Sequence, residues 1–247
     1  MRVTKGYWAF AAIAAATMLA GCNGNNKPAG TSGETTTTGS ATTGTTNPPP
    51  VTVDDKLKHD AYSYLGFDRK GDSTFEYSKV QGAAGERGTE AIEIISSTPE
   101  KSVVKINRGG ALTELGAETY EVRPDGIYLI EINLGKLEKP MLAMPSNVKV
   151  GDKWLSELVV NTPAGKKLSF KINNNATKEE EVITKAGEFN ALLVTGTGTI
   201  TADGKASTVQ YKTWYVKDLG NVMMRIESKD SEGTPIKQSV ELVTKAG

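Results

Sequence analysis

Residues 209–227, with the sequence VQYKTWYVKDLGNVMMRIE, decide the fold. In the first part, Val209, Tyr211 and Thr213 alternate with Gln210, Lys212 and Trp214. In the second part, Val222, Met224 and Ile226 alternate with their neighbours in the same way. Alternation with a period of two is typical of half-buried antiparallel strands. The stretch therefore predicts two strands of an antiparallel sheet.

The same pattern extends outward in both directions from this stretch. Residues 89–96, 101–107 and 240–242 also alternate or are rich in Ile and Val. Turn-forming pairs such as Asp125-Gly126 and Asp203-Gly204 separate the apolar runs and favour tight hairpins. One segment, Asp54–Tyr64, has the spacing of a short helix with Asp54 as its N-cap. The prediction is an all-β fold of about 10–14 strands with at most one short helix, as a curved antiparallel sheet, an open barrel or a sandwich.

A weak internal echo raises the question of a repeat. Lys70-Gly71-Asp72 followed by Phe75 is similar to Val150-Gly151-Asp152 followed by Trp154. Two similar halves, about 60–140 and 141–247, would explain the echo. Chance recurrence among 26 glycines explains it equally well.

Composition excludes several classes of function. The 29 Lys and Arg residues balance 29 Asp and Glu residues, so no basic footprint for nucleic acid is expected. A single Cys and a single His exclude an intramolecular disulfide and any metal site built from several of these residues. No nucleotide or cofactor fingerprint is present, and no cofactor is expected.

The N-terminus has the features of an export signal. Arg2 and Lys5 precede an uncharged apolar run, Ala9–Ala20, which as a helix would rise about 18 Å and so would not cross a bilayer. A run of this length after basic residues is typical of a signal peptide, here residues 1–21. It ends in Leu19-Ala20-Gly21-Cys22, which resembles a bacterial lipobox. The resemblance implies cleavage after Gly21, a diacylglyceryl thioether on Cys22 and an acyl chain such as palmitate on the new amino group. An ordinary secretory signal with a chance Cys is the alternative.

Residues 22–52 have the composition of a tether. Thr, Gly, Asn, Ser and Pro dominate, and Lys27 and Glu34 are the only charged residues. Such a segment cannot bury enough apolar surface to fold, and we expect it to be a disordered linker whose flexible part has an r.m.s. end-to-end distance of about 30 Å. The folded domain is predicted to occupy residues 53–247. Asn23 after the Cys favours the outer membrane or cell surface, by resemblance to known sorting rules.

Few residues suggest catalysis. His59 is the only base available for a nucleophilic triad, and no Ser lies in a nucleophile elbow, so a surface histidine is the simpler interpretation. The acidic run Glu179–Glu181 is most simply a solvated turn or a charged strand edge. A glycan hydrolase using paired carboxylates stays open as an alternative, because sequence spacing says nothing about separation in space.

The aromatic residues of the C-terminal half are the candidates for binding. They are Trp154, Tyr211, Trp214 and Tyr215. Trp214 is expected to point away from the side of the strand that carries Tyr211 and Tyr215. One set would therefore face the core, and the other would face solvent or a cavity. Packing of both sets in a two-sided core is the alternative.

The C-terminal half also carries a series of motifs that resembles a known family. These are Met144-Pro145, Val148–Trp154, Ala186–Phe189, Trp214–Val222 and a final strand with Glu241-Leu242. Their order over residues 141–243 is similar to that of uncharacterised, exported TapB-like domains of bacteria. The resemblance implies a curved, all-β antiparallel sheet and no established activity.

Together these observations predict a non-enzymatic lipoprotein of the cell envelope. Its β-domain would bind an apolar ligand or an envelope protein, and lipid on Cys22 would hold it at the membrane. The glycan hydrolase is the alternative.

The lipid anchor is directly testable. Replacing Cys22 by Ser removes the thiol to which the lipid would be attached. We expect the Cys22→Ser variant to take up no radioactive fatty acid in growing cells, whereas the unchanged protein becomes labelled. Equal labelling of both proteins would contradict the lipobox interpretation.

Overall fold

The structure is a computed structural model that describes residues 51–80, 84–161, 167–202, 204–229 and 233–246. The signal peptide, Cys22 and all but the last two residues of the predicted linker lie outside the described residues. Within the described residues, no helix is long and apolar enough to cross a membrane.

Twelve antiparallel strands form one continuous sheet. The strands are β1 (Ser73–Ser78), β2 (Glu86–Ser97), β3 (Ser102–Gly110), β4 (Glu118–Arg123), β5 (Gly126–Ile132), β6 (Gly135–Pro145), β7 (Lys153–Asn161), β8 (Lys167–Thr184), β9 (Gly187–Ala202), β10 (Lys205–Val216), β11 (Gly220–Lys229) and β12 (Pro235–Thr244). Consecutive strands pair throughout, except that β6 does not pair with β7 and β1 pairs with β12. The all-β prediction is confirmed. The stretch that decided it forms β10 and β11, with Trp214 opposite Met223.

The sheet curves until its two edge strands meet. The strand order is β6-β5-β4-β3-β2-β1-β12-β11-β10-β9-β8-β7, which leaves β6 and β7 as the edges. These two strands lie side by side, although no backbone ladder joins them within the described residues. The result is a nearly closed barrel, and the junction of β6 and β7 is called the seam below. Lys139 and Pro140, near which the sequence echo would place a boundary, lie inside β6.

The interior of the barrel is occupied by side chains that alternate along the strands. On β3 and β4, for example, Val104, Tyr120 and Val122 are buried, whereas the residues between them are more exposed. On β8, Leu168, Phe170 and Ile172 are buried in the same alternating way. This period follows from the pleat, which sends successive side chains to opposite faces.

The segment before β1 closes one end of the barrel. Because the strands form a meander, the connections β2–β3, β4–β5, β6–β7, β8–β9 and β10–β11 all lie at the same end. Residues 54–72 contact two of these connections and the last residue of β2 through hydrogen bonds: Ala61 N–H to the Ser146 carbonyl (2.9 Å), Asp218 N–H to the Ser63 carbonyl (2.8 Å) and Asp54 N–H to Ser97 Oγ (3.3 Å). Tyr62 and Phe67, both fully buried, pack edge to face beneath them.

The helix in this segment is shorter than the sequence predicts. Asp54 caps a 3-10 turn, Asp55–Leu57, and a separate helix α1 spans Asp60–Tyr64. The break falls at His59, whose backbone is extended and whose Nδ1 accepts the Tyr62 N–H at 3.3 Å. The other ring nitrogen, Nε2, lies 3.0 Å from the Arg123 carbonyl and donates to it. His59 is therefore a half-buried helix cap rather than a surface residue.

The far part of the β8–β9 hairpin forms a second layer outside the barrel. A bulge between Ala176 and Lys178 redirects β8, and the hairpin tip, residues 178–189, then lies against β1 and β12. We call this tip the flap. Lys185 holds it in place, since its Nζ is 2.6 Å from Glu76 Oε2 and its N–H donates to Glu241 Oε1 at 2.9 Å. Glu76 and Glu241 face each other across β1 and β12, so Lys185 also relieves the repulsion between two like charges.

The His59 cap should make stability depend on pH. Burial lowers the pKa of the imidazole below its usual value of 6.5, although the Arg123 carbonyl acts in the opposite direction. Because the folded-state pKa is lower than the unfolded one, the stabilisation is present above the unfolded pKa and is lost as pH falls through the folded pKa. Asn is an equally good N-cap that does not titrate. Between about pH 7.5 and pH 5, we expect the free energy of unfolding in urea to fall by up to about 1 kcal/mol more for the wild type than for His59→Asn. Parallel pH curves for the two proteins would contradict this role.

Candidate functional site

A concave depression on the outer surface of β7, β8 and β9 is the candidate binding site. Its volume is about 570 Å³, within the range of about 300–1,000 Å³ that is usual for small-ligand sites. Eight residues line it, among them Trp154 and Asn174. The other six face outward: Lys153, Leu155, Asn173, Asn175, Thr195 and Thr197. We call this depression the trough. It lies directly before the bulge at which β8 turns into the flap.

The lining residues form two rows across the three strands. Strand pairing aligns Lys153, Asn175 and Thr195 in one row. It aligns Leu155, Asn173 and Thr197 in the next row. Directly opposite side chains in a sheet lie about 5 Å apart at Cβ, so each row presents its polar atoms at short, regular intervals. The two rows together offer amide, hydroxyl and ammonium groups to solvent.

A chain of buried hydrogen bonds fixes the floor of the trough. Asn174 points into the barrel between the two outward asparagines, and its Oδ1 accepts a short hydrogen bond from Tyr211 OH. Its Nδ2 donates to Ser156 Oγ at 2.8 Å, and Ser156 Oγ donates to the Leu142 carbonyl at 2.6 Å. The chain thus runs from β10 through β8 and β7 to β6. It crosses the seam at its last step.

Trp154 makes the second connection across the seam. Its Nε1–H donates to the Ala143 carbonyl at 3.0 Å, and only 9% of the residue is exposed. Farther along the seam, Asn161 Nδ2 donates to Glu138 Oε1 at 3.0 Å. Side chains of β7 therefore do what a backbone ladder does elsewhere in the sheet. The carbonyls of Leu142 and Ala143 on β6 are satisfied in this way without main-chain partners from β7.

Two glycines on β9 are explained by packing beneath the same region. A Cβ on Gly196 would lie 2.2 Å from the Tyr211 ring. A Cβ on Gly198 would lie 2.0 Å from the Lys171 carbonyl. Both positions therefore allow close approach of neighbouring groups, as glycines in strands often do. They do not mark bulges, because the β8–β9 pairing is regular through both glycines.

The four aromatic residues proposed from the sequence lie in three places: at the seam, inside the barrel and on its outer face. Trp154 lies at the seam, and Tyr211 supports the underside of the trough through Asn174. Trp214 points outward, where its Nε1–H donates to Glu180 Oε1 of the flap at 2.8 Å and Arg225 lies over its ring. Tyr215 is buried in the interior. Their role in binding stays a prediction.

A cluster of charged residues lies inside the barrel near Tyr215. Arg108 is its centre: Nε is 3.1 Å from Glu90 Oε2, and Nη2 is 2.8 Å from Glu118 Oε2. Arg69, from the segment that closes the barrel end, makes a short ion pair with Glu90. Tyr120 OH donates to Glu118 at 2.9 Å. Side-chain exposure is 12% for Glu90 and 1% for Glu118, so the cluster is enclosed.

The two carboxylates of this cluster differ in their ionisation. Burial opposes the charge on Glu90, but the guanidinium groups of Arg108 and Arg69 outweigh it and hold the pKa of that carboxyl below its usual value. Burial prevails at Glu118 and raises the pKa of its carboxyl, although Arg108 and Tyr120 act against it. A glycosidase needs its two acids beside a sugar-binding cleft. Here both acids are enclosed and held by one arginine, so this pair does not support the hydrolase alternative.

The asparagines and threonines of the trough were not among the sequence candidates. A signal was present, however, because Asn173, Asn174 and Asn175 are consecutive, and Asn is depleted in strands. Only Asn174 is explained by contacts inside the protein. A local choice that conflicts with the fold is expected mainly at functional or strained sites. In the described part of the chain, no group of three or more His, Cys, Asp or Glu side chains is arranged to hold a metal ion.

Comparisons with known proteins identify the fold. An exported protein of Bacteroides fragilis with a YmcC-like fold matches 72% of this chain and 97% of its own, with 12% identity and a TM-score of 0.51. A structure described as a lipoprotein from Parabacteroides distasonis matches 73% of this chain and 98% of its own, with 13% identity and a TM-score of 0.49. The similarity to the Bacteroides fragilis protein shows that the chain has the YmcC-like fold.

Neither a family model nor a curated protein matches the sequence. The resemblance to TapB-like domains therefore stays a prediction.

The hydrogen bonds of Ser156 should be important for stability. Ser156→Ala leaves the Leu142 carbonyl and the Asn174 amide without their buried partner, at a cost of about 1–3 kcal/mol. The measurement is the free energy of unfolding in urea. As a control, Ser169→Ala on the outer face of the neighbouring strand β8 should change it by less than about 0.5 kcal/mol. Equal effects of the two substitutions would show that the chain across the seam adds nothing.

Proposed function

We propose that this protein is an exported bacterial lipoprotein whose domain works by binding rather than by catalysis. Lipid on Cys22 holds it at the membrane, and the linker to residue 52 lets the domain reach an envelope component some 30 Å away. The lipobox motif supports the anchor. The fold shared with an exported protein of Bacteroides fragilis supports the location.

The observation that carries the binding role is a contrast between the interior and the trough. Inside the barrel, the ionisable side chains that could act in catalysis are Glu90, Arg108 and Glu118. They form ion pairs with one another. On the trough, the side chains of Asn173, Asn175 and Thr197 make no hydrogen bond with any described residue. Polar groups that are fixed in position and free to bond suit recognition of a partner.

This contrast also bears on the kind of ligand. The residues that fill the interior include Phe67, Phe75 and Leu129, each of which is at most 2% exposed. A carrier of an apolar ligand would need that space to be empty. We therefore infer that the binding partner is an envelope component met at the outer surface, through the polar trough.

The test is photo-cross-linking in living cells. A diazirine amino acid at Leu155, which is 40% exposed in the trough, should give a reproducible covalent adduct with an envelope component. The same amino acid at Ile95, an aliphatic residue on β2 with a similar exposure of 47%, is the matched control and should give none. No adduct at position 155, or the same adducts at both positions, would contradict the proposal.

A further inference from the structure

We propose that the trough binds a segment of a glycan chain. This inference rests on the proposed function, and it names the class of ligand. The argument concerns the two rows Lys153–Asn175–Thr195 and Leu155–Asn173–Thr197. It proceeds from their hydrogen-bonding capacity, their charge, the strand edges around them and the rigidity beneath them.

The bonding groups of the trough match hydroxyl groups. Each Asn amide offers two donors and an acceptor, and each Thr hydroxyl is both donor and acceptor. A sugar hydroxyl also donates and accepts, so one ring can use neighbouring groups of a row at the same time. The Thr195 hydroxyl already contacts Thr177 at 3.1 Å. The side-chain amides of Asn173 and Asn175 and the hydroxyl of Thr197 make no hydrogen bond within the described residues. Leu155 adds an apolar contact for the C–H face of a sugar ring.

Charge argues against a polyanionic or polycationic ligand. Lys153 is the only charged side chain among the eight residues that line the trough. Ion pairs lie just outside it, with Glu157 and Lys171 2.8 Å apart on one side and Lys178 and Glu180 2.7 Å apart on the other. The trough is therefore a polar surface with a single positive charge, bounded by paired charges. Such a surface favours a ligand rich in hydroxyl groups over one held by charge.

The strand edges argue against a peptide. Extended peptides bind to sheets by adding a strand to a free edge. Strand β8 pairs with β7 and β9, and β9 pairs with β8 and β10, so the centre of the trough has no free backbone groups. Recognition there must come from side chains.

The support beneath the trough favours a specific site. Asn174 is 2% exposed, and its hydrogen bonds to Tyr211 and Ser156 hold the backbone between Asn173 and Asn175. A ligand that meets groups already fixed in place loses less free energy to ordering of the protein. The side chains of Asn173 and Asn175 add nothing to this support, since they make no hydrogen bond within the described residues.

The test replaces Asn173 and Asn175, whose side chains make no hydrogen bond within the described residues. Val favours strands more than Asn does, so the double variant Asn173→Val/Asn175→Val should melt at the same temperature as the wild type or higher. It should also lose glycan affinity by at least about tenfold, because it removes two or more hydrogen bonds. The matched control is Gln210→Val on β10, which removes an outward amide opposite Thr197 but outside the trough. The glycan affinity of Gln210→Val should stay within about twofold of that of the wild type.

The experiment uses the full-length lipidated protein in a detergent without a sugar headgroup. The probes are immobilised oligosaccharides of two to six neutral hexose or N-acetylhexosamine units, with uronic acid oligosaccharides alongside. Binding of a neutral oligosaccharide that the double variant loses and the control retains is the expected result. The proposal would be overturned if the wild-type protein bound none of the neutral oligosaccharides. Equal binding by the double variant, or a lower melting temperature of that variant, would also overturn it. A protein adduct at Leu155 together with no glycan binding would overturn this inference alone and leave the proposed function standing.

Discussion

The hydrogen bond from Ser156 Oγ to the Leu142 carbonyl, 2.6 Å long, joins the two edges of the sheet. Every other strand of the meander has backbone partners on both sides, whereas β6 and β7 have one each. An open edge exposes unpaired groups that invite aggregation. Here side chains from β7 satisfy carbonyls of β6, and they bring the barrel close to closure without a twelfth ladder. The seam thus depends on a few side chains rather than on a long row of main-chain bonds.

The same connection ties the seam to the trough. Ser156 is held by Asn174, and Asn174 is held by Tyr211, so the order extends over four strands. The outer surface above Asn174 inherits this rigidity. Beyond the trough, the bulge at Ala176 turns the hairpin into the flap, which Lys185 fastens to β1 and β12. The concave surface on which the proposed function depends therefore lies between the polar chain inside the barrel and the bend in β8.

The local part of the fold was predictable from sequence, and the long-range part was not. The alternation at Val209–Glu227 is a property of neighbouring residues, and it sufficed to predict β10 and β11. The split of the helix at His59 depends on the carbonyl of Arg123, which is 64 residues away, and no local pattern reveals it. The trough was missed for a related reason. Aromatic residues drew attention because they often form binding surfaces, whereas the outward Asn and Thr residues become a site only when β7, β8 and β9 align them.

Residue-resolved hydrogen exchange of the backbone amides tests the central claim most directly. Residues 192–202 of β9 pair with β8 on one side and with β10 on the other, and the account predicts uniformly slow exchange there. In β7, the amides that face β8 should exchange slowly, and the alternate amides that face β6 should exchange much faster, because no ladder joins the two edges within the described residues. Uniformly slow exchange along β7 would show that a backbone ladder closes the barrel, and it would contradict a seam held by side chains.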